Sequence, residues 1–238
     1  MDCESSVRKP DLVPDTFTVS TFSVFLLNND DSKRESSLES KVMIDWPDDY
    51  RKLQETGLLA RLTDPDDPLW VGDAEFMPED EIVSYEPLDY QKVEIVPFAF
   101  TGAGDYWAYL PDALPGSDIV LCPHDSDEAE YDTACIRDFI FKRMVEFAGG
   151  TSLDGDGYWT PDNAKQAISR VCISFADFLS PEMLAELRSI ANTVSLVITP
   201  FGPSDHFAKL ISESRAKELI EKYAPMKREN TTFQWLDF

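Results

Sequence analysis

The stretch HDSDEAEYD, His124 to Asp132, gathers one imidazole and five carboxylates, Asp125, Asp127, Glu128, Glu130 and Asp132. Side chains of these types can hold a divalent cation or meet a cationic partner. A hard cation wants about six to eight oxygen ligands at defined positions. The irregular spacing supplies no such set, so the segment reads as an exposed acidic turn, with no metal. A second stretch, SLDGDGYWTPDN from Ser152 to Asn163, puts Asp154, Asp156 and Gly157 at the third, fifth and sixth positions of a calcium loop. Ser152 and Asn163 stand at its ends where Asp and Glu belong, and it reads as a turn before a helix.

Nucleophilic chemistry has few carriers. The histidines are His124 and His206, and a Ser–His or Cys–His enzyme would have to use one of them. Cys122 is two residues from His124, which on a strand places both on one face whatever their chemistry. His206 has no Cys or carboxylate ligand set around it and reads as a surface residue near the start of a helix. No catalytic residue and no cofactor is assigned.

VPFAFTGAGDYWAYLPD, Val96 to Asp112, holds a Gly-x-Gly between two apolar runs. A dinucleotide fingerprint needs a third glycine and a following helix, and a Walker loop needs Gly-Lys-Ser/Thr. Here Tyr106-Trp107-Ala108-Tyr109 continues as strand, and Asp105 stands where positive charge would help. Gly102 and Gly104 can take positive φ, as a hairpin turn demands. The stretch is read as a hairpin with Pro97 on an edge or at a bulge.

The elements around these residues follow from periodicity. Phe17 to Leu27 reads as a strand or a docked apolar arm, and Asn28 to Ser40 as a polar linker. A helix is expected from Pro47 to about Leu62, a loop at Thr63 to Pro68, and a short helix from Pro78. Strand-like runs follow at Val93 to Phe100, Tyr106 to Leu110, Ile119 to Cys122 and Tyr131 to Cys135, which makes an antiparallel sheet. Ile136 to Ala148 is helix, stopped by Gly149 and Gly150. Helices begin at Thr160-Pro161 and Ser180-Pro181, Val194 to Thr199 is a strand, and Ser204 to Tyr223 a last helix. Trp235 and Phe238 in the tail FQWLDF are expected to dock, because leaving them in water is costly.

The 238 residues carry 45 acids and 21 bases, for a net charge of -24. The segment from Leu62 to Ile136 contains 19 acids and one base, Lys92. Such a segment is a solvated acidic surface, or one that attracts a basic partner. Direct nucleic-acid binding, which needs clustered Lys and Arg, is disfavoured. The opening MDCESSVRKP has no apolar signal core. Cys3, Cys122, Cys135 and Cys172 form no Cys-x-x-Cys pair and read as free thiols of a cytoplasmic protein, a Cys122–Cys135 disulfide being the alternative.

WPDDYRKL at Trp46 to Leu53, PFAFTGAGDYWAYLPD at Pro97 to Asp112, DIVLCPHDSDEAEY at Asp118 to Tyr131 and CIRDFIFKRMVEFA at Cys135 to Ala148 come in an order that resembles the SUKH superfamily. Gly57 stands alone where that family has Gly-Gly. The resemblance covers roughly Ile44 to Gly150. It implies an α+β fold, a central mostly antiparallel sheet flanked by helices, and binding in place of catalysis. Bacterial members are mostly immunity proteins that neutralise polymorphic or contact-dependent toxins, many of them nucleases; fungal Smi/Knr-type members are regulators. The expected organisation is an arm and linker (1–43), a SUKH-like domain (44–150) and a helical extension packed on it (151–238). The expected function is neutralisation of a basic, nuclease-type toxin through an acidic surface. A regulatory scaffold and a carboxylate-metal hydrolase are the alternatives. The expected surface comprises Asp105, Asp125, Asp127, Glu128, Glu130 and Asp132, with Trp107 or Tyr109 as an aromatic anchor.

Overall fold

The computed structural model describes residues 46–237 apart from 65, 68, 112–117, 154–157, 202–204 and 227. The expected arm and linker, the calcium-like Asp154, Asp156 and Gly157, and Phe238 lie outside the described residues.

Apolar residues on alternating sides of four consecutive strands dictate a sheet buried on both faces. Its six antiparallel strands run in the order β1 (Glu75–Phe76), β2 (Val96–Phe100), β3 (Tyr106–Tyr109), β4 (Ile119–Cys122), β5 (Glu128–Thr133) and β8 (Thr232–Gln234). Pro97 cannot donate to a ladder, and the β2–β3 register shifts between Pro97 and Ala99. Along β3, Trp107 and Tyr109 face one way and Ala108 and Tyr106 the other.

The first face packs against α1 (Asp48–Glu55) and α4 (Ile136–Gly150). Phe139 of α4 meets Trp107 and Phe98 edge-on, with ring centres 5.2 and 5.4 Å apart. Tyr50 of α1 stands on Tyr109 at 5.6 Å. The two helices are also tied at their ends. Cys135 gives α4 no side-chain cap, and Asp49 of α1 supplies one from outside, its Oδ2 accepting the Ile136 N–H at 2.8 Å. The second face carries Ala108, Val120, Cys122 and Ala129, covered by Leu88, Ile95 and the tail residues Trp235 and Leu236.

The helix expected over Pro47–Leu62 breaks at Gly57, which takes a left-handed conformation, and continues as α2 (Leu58–Leu62). The short helix from Pro78 is α3 (Glu79–Val83). Gly149 and Gly150 do not stop α4 but complete it. A Cβ on Gly149 would lie 2.8 Å from the Ala216 Cβ, so this glycine allows α7 (Glu213–Tyr223) to cross α4 closely.

The segment after residue 150 is less helical than expected. The helices α5 (Pro161–Ser174) and α6 (Pro181–Ala191) form as their caps predict, Thr160 and Asn163 making a reciprocal capping box and Ser180 accepting from the Met183 N–H. The helix expected from Ser204 starts only after Ser212, its N-cap. Residues before it form β7 (Asp205–Lys209), paired with β6 (Val197–Phe201) in a separate hairpin. His206 therefore lies in a strand. The tail adds β8 to the main sheet. Among the described residues no helix is long and apolar enough to cross a membrane.

Candidate partner-binding surface

Two hairpin turns meet at one end of the sheet. The β2–β3 turn, Thr101 to Asp105, is built around the Thr101 hydroxyl, which accepts the N–H groups of Ala103 and Asp105 and donates to Asp105 Oδ2. Gly104 has φ +91°, a conformation that side chains with a Cβ rarely adopt. Gly102 does not share it; its N–H instead donates to Asp73 Oδ1 at 3.3 Å. Gly104→Val, with open space around its Cβ, is expected to destabilise the protein by ~1–3 kcal/mol through backbone strain alone, measured by urea unfolding. A Gly102→Ala variant should unfold close to wild type.

The β4–β5 turn, Pro123 to Asp127, is held on both sides. On one, Asp105 Oδ1 accepts the His124 N–H at 3.1 Å and pairs with His124 Nδ1 at 2.7 Å. On the other, the Ser126 carbonyl accepts Trp235 Nε1–H and the Asp127 carbonyl accepts Trp235 N–H. Gln234 donates to Asp127 Oδ2. The turn therefore presents Asp125 on a fixed backbone, with Glu128 and Glu130 exposed on the strand that follows. Asp127 is half-buried against the tail.

The His124–Asp105 contact ties one turn to the other and depends on pH. The hydrogen bond to Asp105 raises the His124 pKa, with Asp125 adding to the effect. Burial pushes Asp105 up, but the His124 ring and N–H and the Thr101 hydroxyl outweigh it and hold the carboxyl below its ordinary value. The raised His124 makes the tie present at low pH and lost as pH rises through its folded pKa. The lowered Asp105 makes it lost again as pH falls through its own. The tie therefore occupies the window between the two. NMR titration of the His124 ring is expected to give a pKa above the ordinary value, and Asp105→Asn is expected to bring it down.

Three residues expected on this surface are elsewhere. Trp107 is 4% exposed and Tyr109 1% exposed, because the face they occupy is roofed by α1 and α4. Trp107 donates Nε1–H to the Asp73 carbonyl at 3.1 Å. Asp132 shares a face of β5 with Glu128 and Glu130 but reaches under α4, where its side chain is 7% exposed and pairs with Lys142 and Arg143. None of the three is available to a partner. The expected surface contracts to Asp105, Asp125, Asp127, Glu128 and Glu130.

Asp73, which the sequence reading passed over, joins it through the Gly102 bond. Its signal was a turn-forming Gly-Asp pair inside an apolar run, WVGDAEF. Beside Asp73 a cleft of about 310 Å³ opens between Val71–Asp73 and the last turns of α4, where Arg143, Glu146 and Phe147 form the wall. Among the described residues, Asp105, His124 and Asp125 are the set whose ligand atoms lie within 4.8 Å of one another, the reach a divalent ion would require. Asp105 Oδ1 and His124 Nδ1 are spent on each other in that set.

No family model, curated protein or solved structure matches this chain. The functional reading therefore stands on the residues and geometry above.

Proposed function

We propose that this is a binding protein of the SUKH-like immunity type, which neutralises a basic, nuclease-class toxin in the cytoplasm by covering its cationic cleft. The observation that carries this reading is the joined pair of turns. Asp73 and Asp105 are held at one end of the sheet by hydrogen bonds to Gly102 and His124, and Asp125 is carried on a turn whose backbone is held at His124 and Ser126. A preformed acidic surface loses little freedom on binding, and it steers a cationic partner from a distance.

The first test is co-expression with the products of neighbouring reading frames. One of them should arrest growth alone and be silenced by this chain. Association kinetics with that product should then show a fast on-rate at low salt that drops steeply as the Debye length shrinks from about 30 Å at 0.01 M to about 10 Å at 0.1 M. Reversing the exposed Asp125, Glu128 and Glu130 to Lys should cut the low-salt on-rate roughly tenfold or more. Stability should change little, because exposed charges contribute little to folding. An on-rate indifferent to both salt and the reversal would exclude this face as the steering surface.

A further inference from the structure

The cleft beside Asp73 continues the acidic end of the sheet, and its charges are unequal. Asp132 and Glu146 balance Lys142 and Arg143: Arg143 Nη2 meets Asp132 Oδ1 at 2.6 Å and Arg143 Nη1 meets Glu146 Oε2 at 3.1 Å. Both ends of the guanidinium fork are thus engaged, and its plane is held against the Trp107 ring at 4.5 Å. The remaining donor, Nε, is buried without a hydrogen-bond partner among the described residues. Asp73 is the charge left over among the residues that line the cleft. Burial raises the Glu146 carboxyl against the pull of Arg143 and Lys142, so a further cation nearby would favour its ionised form. Val71 and Phe147 add apolar surface to the same lining.

We propose that this cleft takes the guanidinium of an arginine from the bound partner, between Asp73 and Glu146. The inference rests on the proposed function and names how the acidic surface anchors its partner. A guanidinium is planar and weakly hydrated, bonds carboxylates through a fork and packs its flat faces on apolar side chains. A lysine ammonium is a compact, strongly hydrated charge and satisfies only part of that lining.

The test uses the whole chain and a blocked amino acid, Nα-acetyl-arginine methylamide, titrated by amide NMR at low salt. Saturable shifts confined to Val71–Asp73 and Arg143–Thr151 are expected. Asp73→Asn and Glu146→Gln should each weaken binding about tenfold, the equivalent of one charge-assisted hydrogen bond, with the melting temperature of Asp73→Asn unchanged. Asp73 is exposed, so its variant serves even if Glu146→Gln perturbs the α4 ion pairs. Blocked lysine should bind more weakly and blocked norleucine not at all. Shifts that fail to saturate, that are matched by lysine or norleucine, or that neither substitution reduces would overturn the proposal. Growth rescue by a chain whose cleft binds no arginine would remove this inference alone. Arginine binding without rescue would leave the cleft and remove the toxin reading.

Discussion

Replacing Asp132 with alanine is expected to lower the stability of the fold by roughly 3–5 kcal/mol. The Asp132 side chain is 7% exposed, and the Lys142 and Arg143 side chains it meets are 18% and 11% exposed. Removing the carboxylate leaves two cations under the edge of the sheet, with the half-exposed Glu146 as their remaining counter-ion. The cost comes from stranding those cations, not from the worth of the pair itself, since two charges were desolvated to make it. Asp132→Asn should lose less, because its amide oxygen still accepts from one of them. Urea unfolding with an unchanged slope is the measurement. Glu130→Ala, two residues earlier on the same face but exposed, should stay within about 0.5 kcal/mol of wild type. A loss under about 1 kcal/mol for Asp132→Ala would mean that solvent reaches Lys142 and Arg143 freely.

Trp235→Ala is expected to cost about 3–5 kcal/mol as well, by a different route. Trp235 is 1% exposed and sits at the centre of the second core, against Ala108, Val120, Cys122 and Ala129. Its truncation opens a cavity and strands the Ser126 carbonyl that accepted its indole N–H. Trp235→Phe should recover most of the packing and lose the hydrogen bond, for a smaller deficit. The same change bears on the proposed function, because Trp235 is one of the two supports of the β4–β5 turn. Amide exchange at His124 to Glu128 should quicken in Trp235→Ala beyond what global destabilisation explains. Equal quickening across the sheet would show that the tail supports the fold as a whole and not this turn.

Elements were legible where a segment's own residues decide its structure and obscure where a neighbouring segment does. Ile119–Cys122 was read with the boundaries it has, because four apolar residues between turn signals admit little else. The capping residues Thr160 and Ser180 marked helix starts for the same reason. The misreadings share one cause, a partner that lies outside the segment being read. Phe207, Leu210 and Ile211 fit a helical stripe from Ser204, and pairing with Val197–Phe201 overrides it. Trp107 and Tyr109 read as anchors beside the glycine turn, yet α1 and α4 cover the face they occupy. Asp132 was one acid among five until Lys142 and Arg143 of the next helix were seen to reach it. Of the site, the two turns and the exposed acids were visible in advance; Asp73 and the cleft required the fold.

The pairing of β5 with β8 sets a schedule for the nascent chain. Trp235 lies 109 residues beyond the Ser126 carbonyl it bonds. At ribosomal speeds of about 5–20 residues per second, roughly 5–20 s separate the emergence of β5 from that of its last neighbour. Throughout that interval β5 is an open edge with unpaired N–H and C=O groups, the kind of template on which other chains add. Glu128 and Glu130 stand along that edge, and two like charges on every copy oppose stacking of one β5 on another. The acids proposed to face a partner in the finished protein would thus also guard the unfinished one.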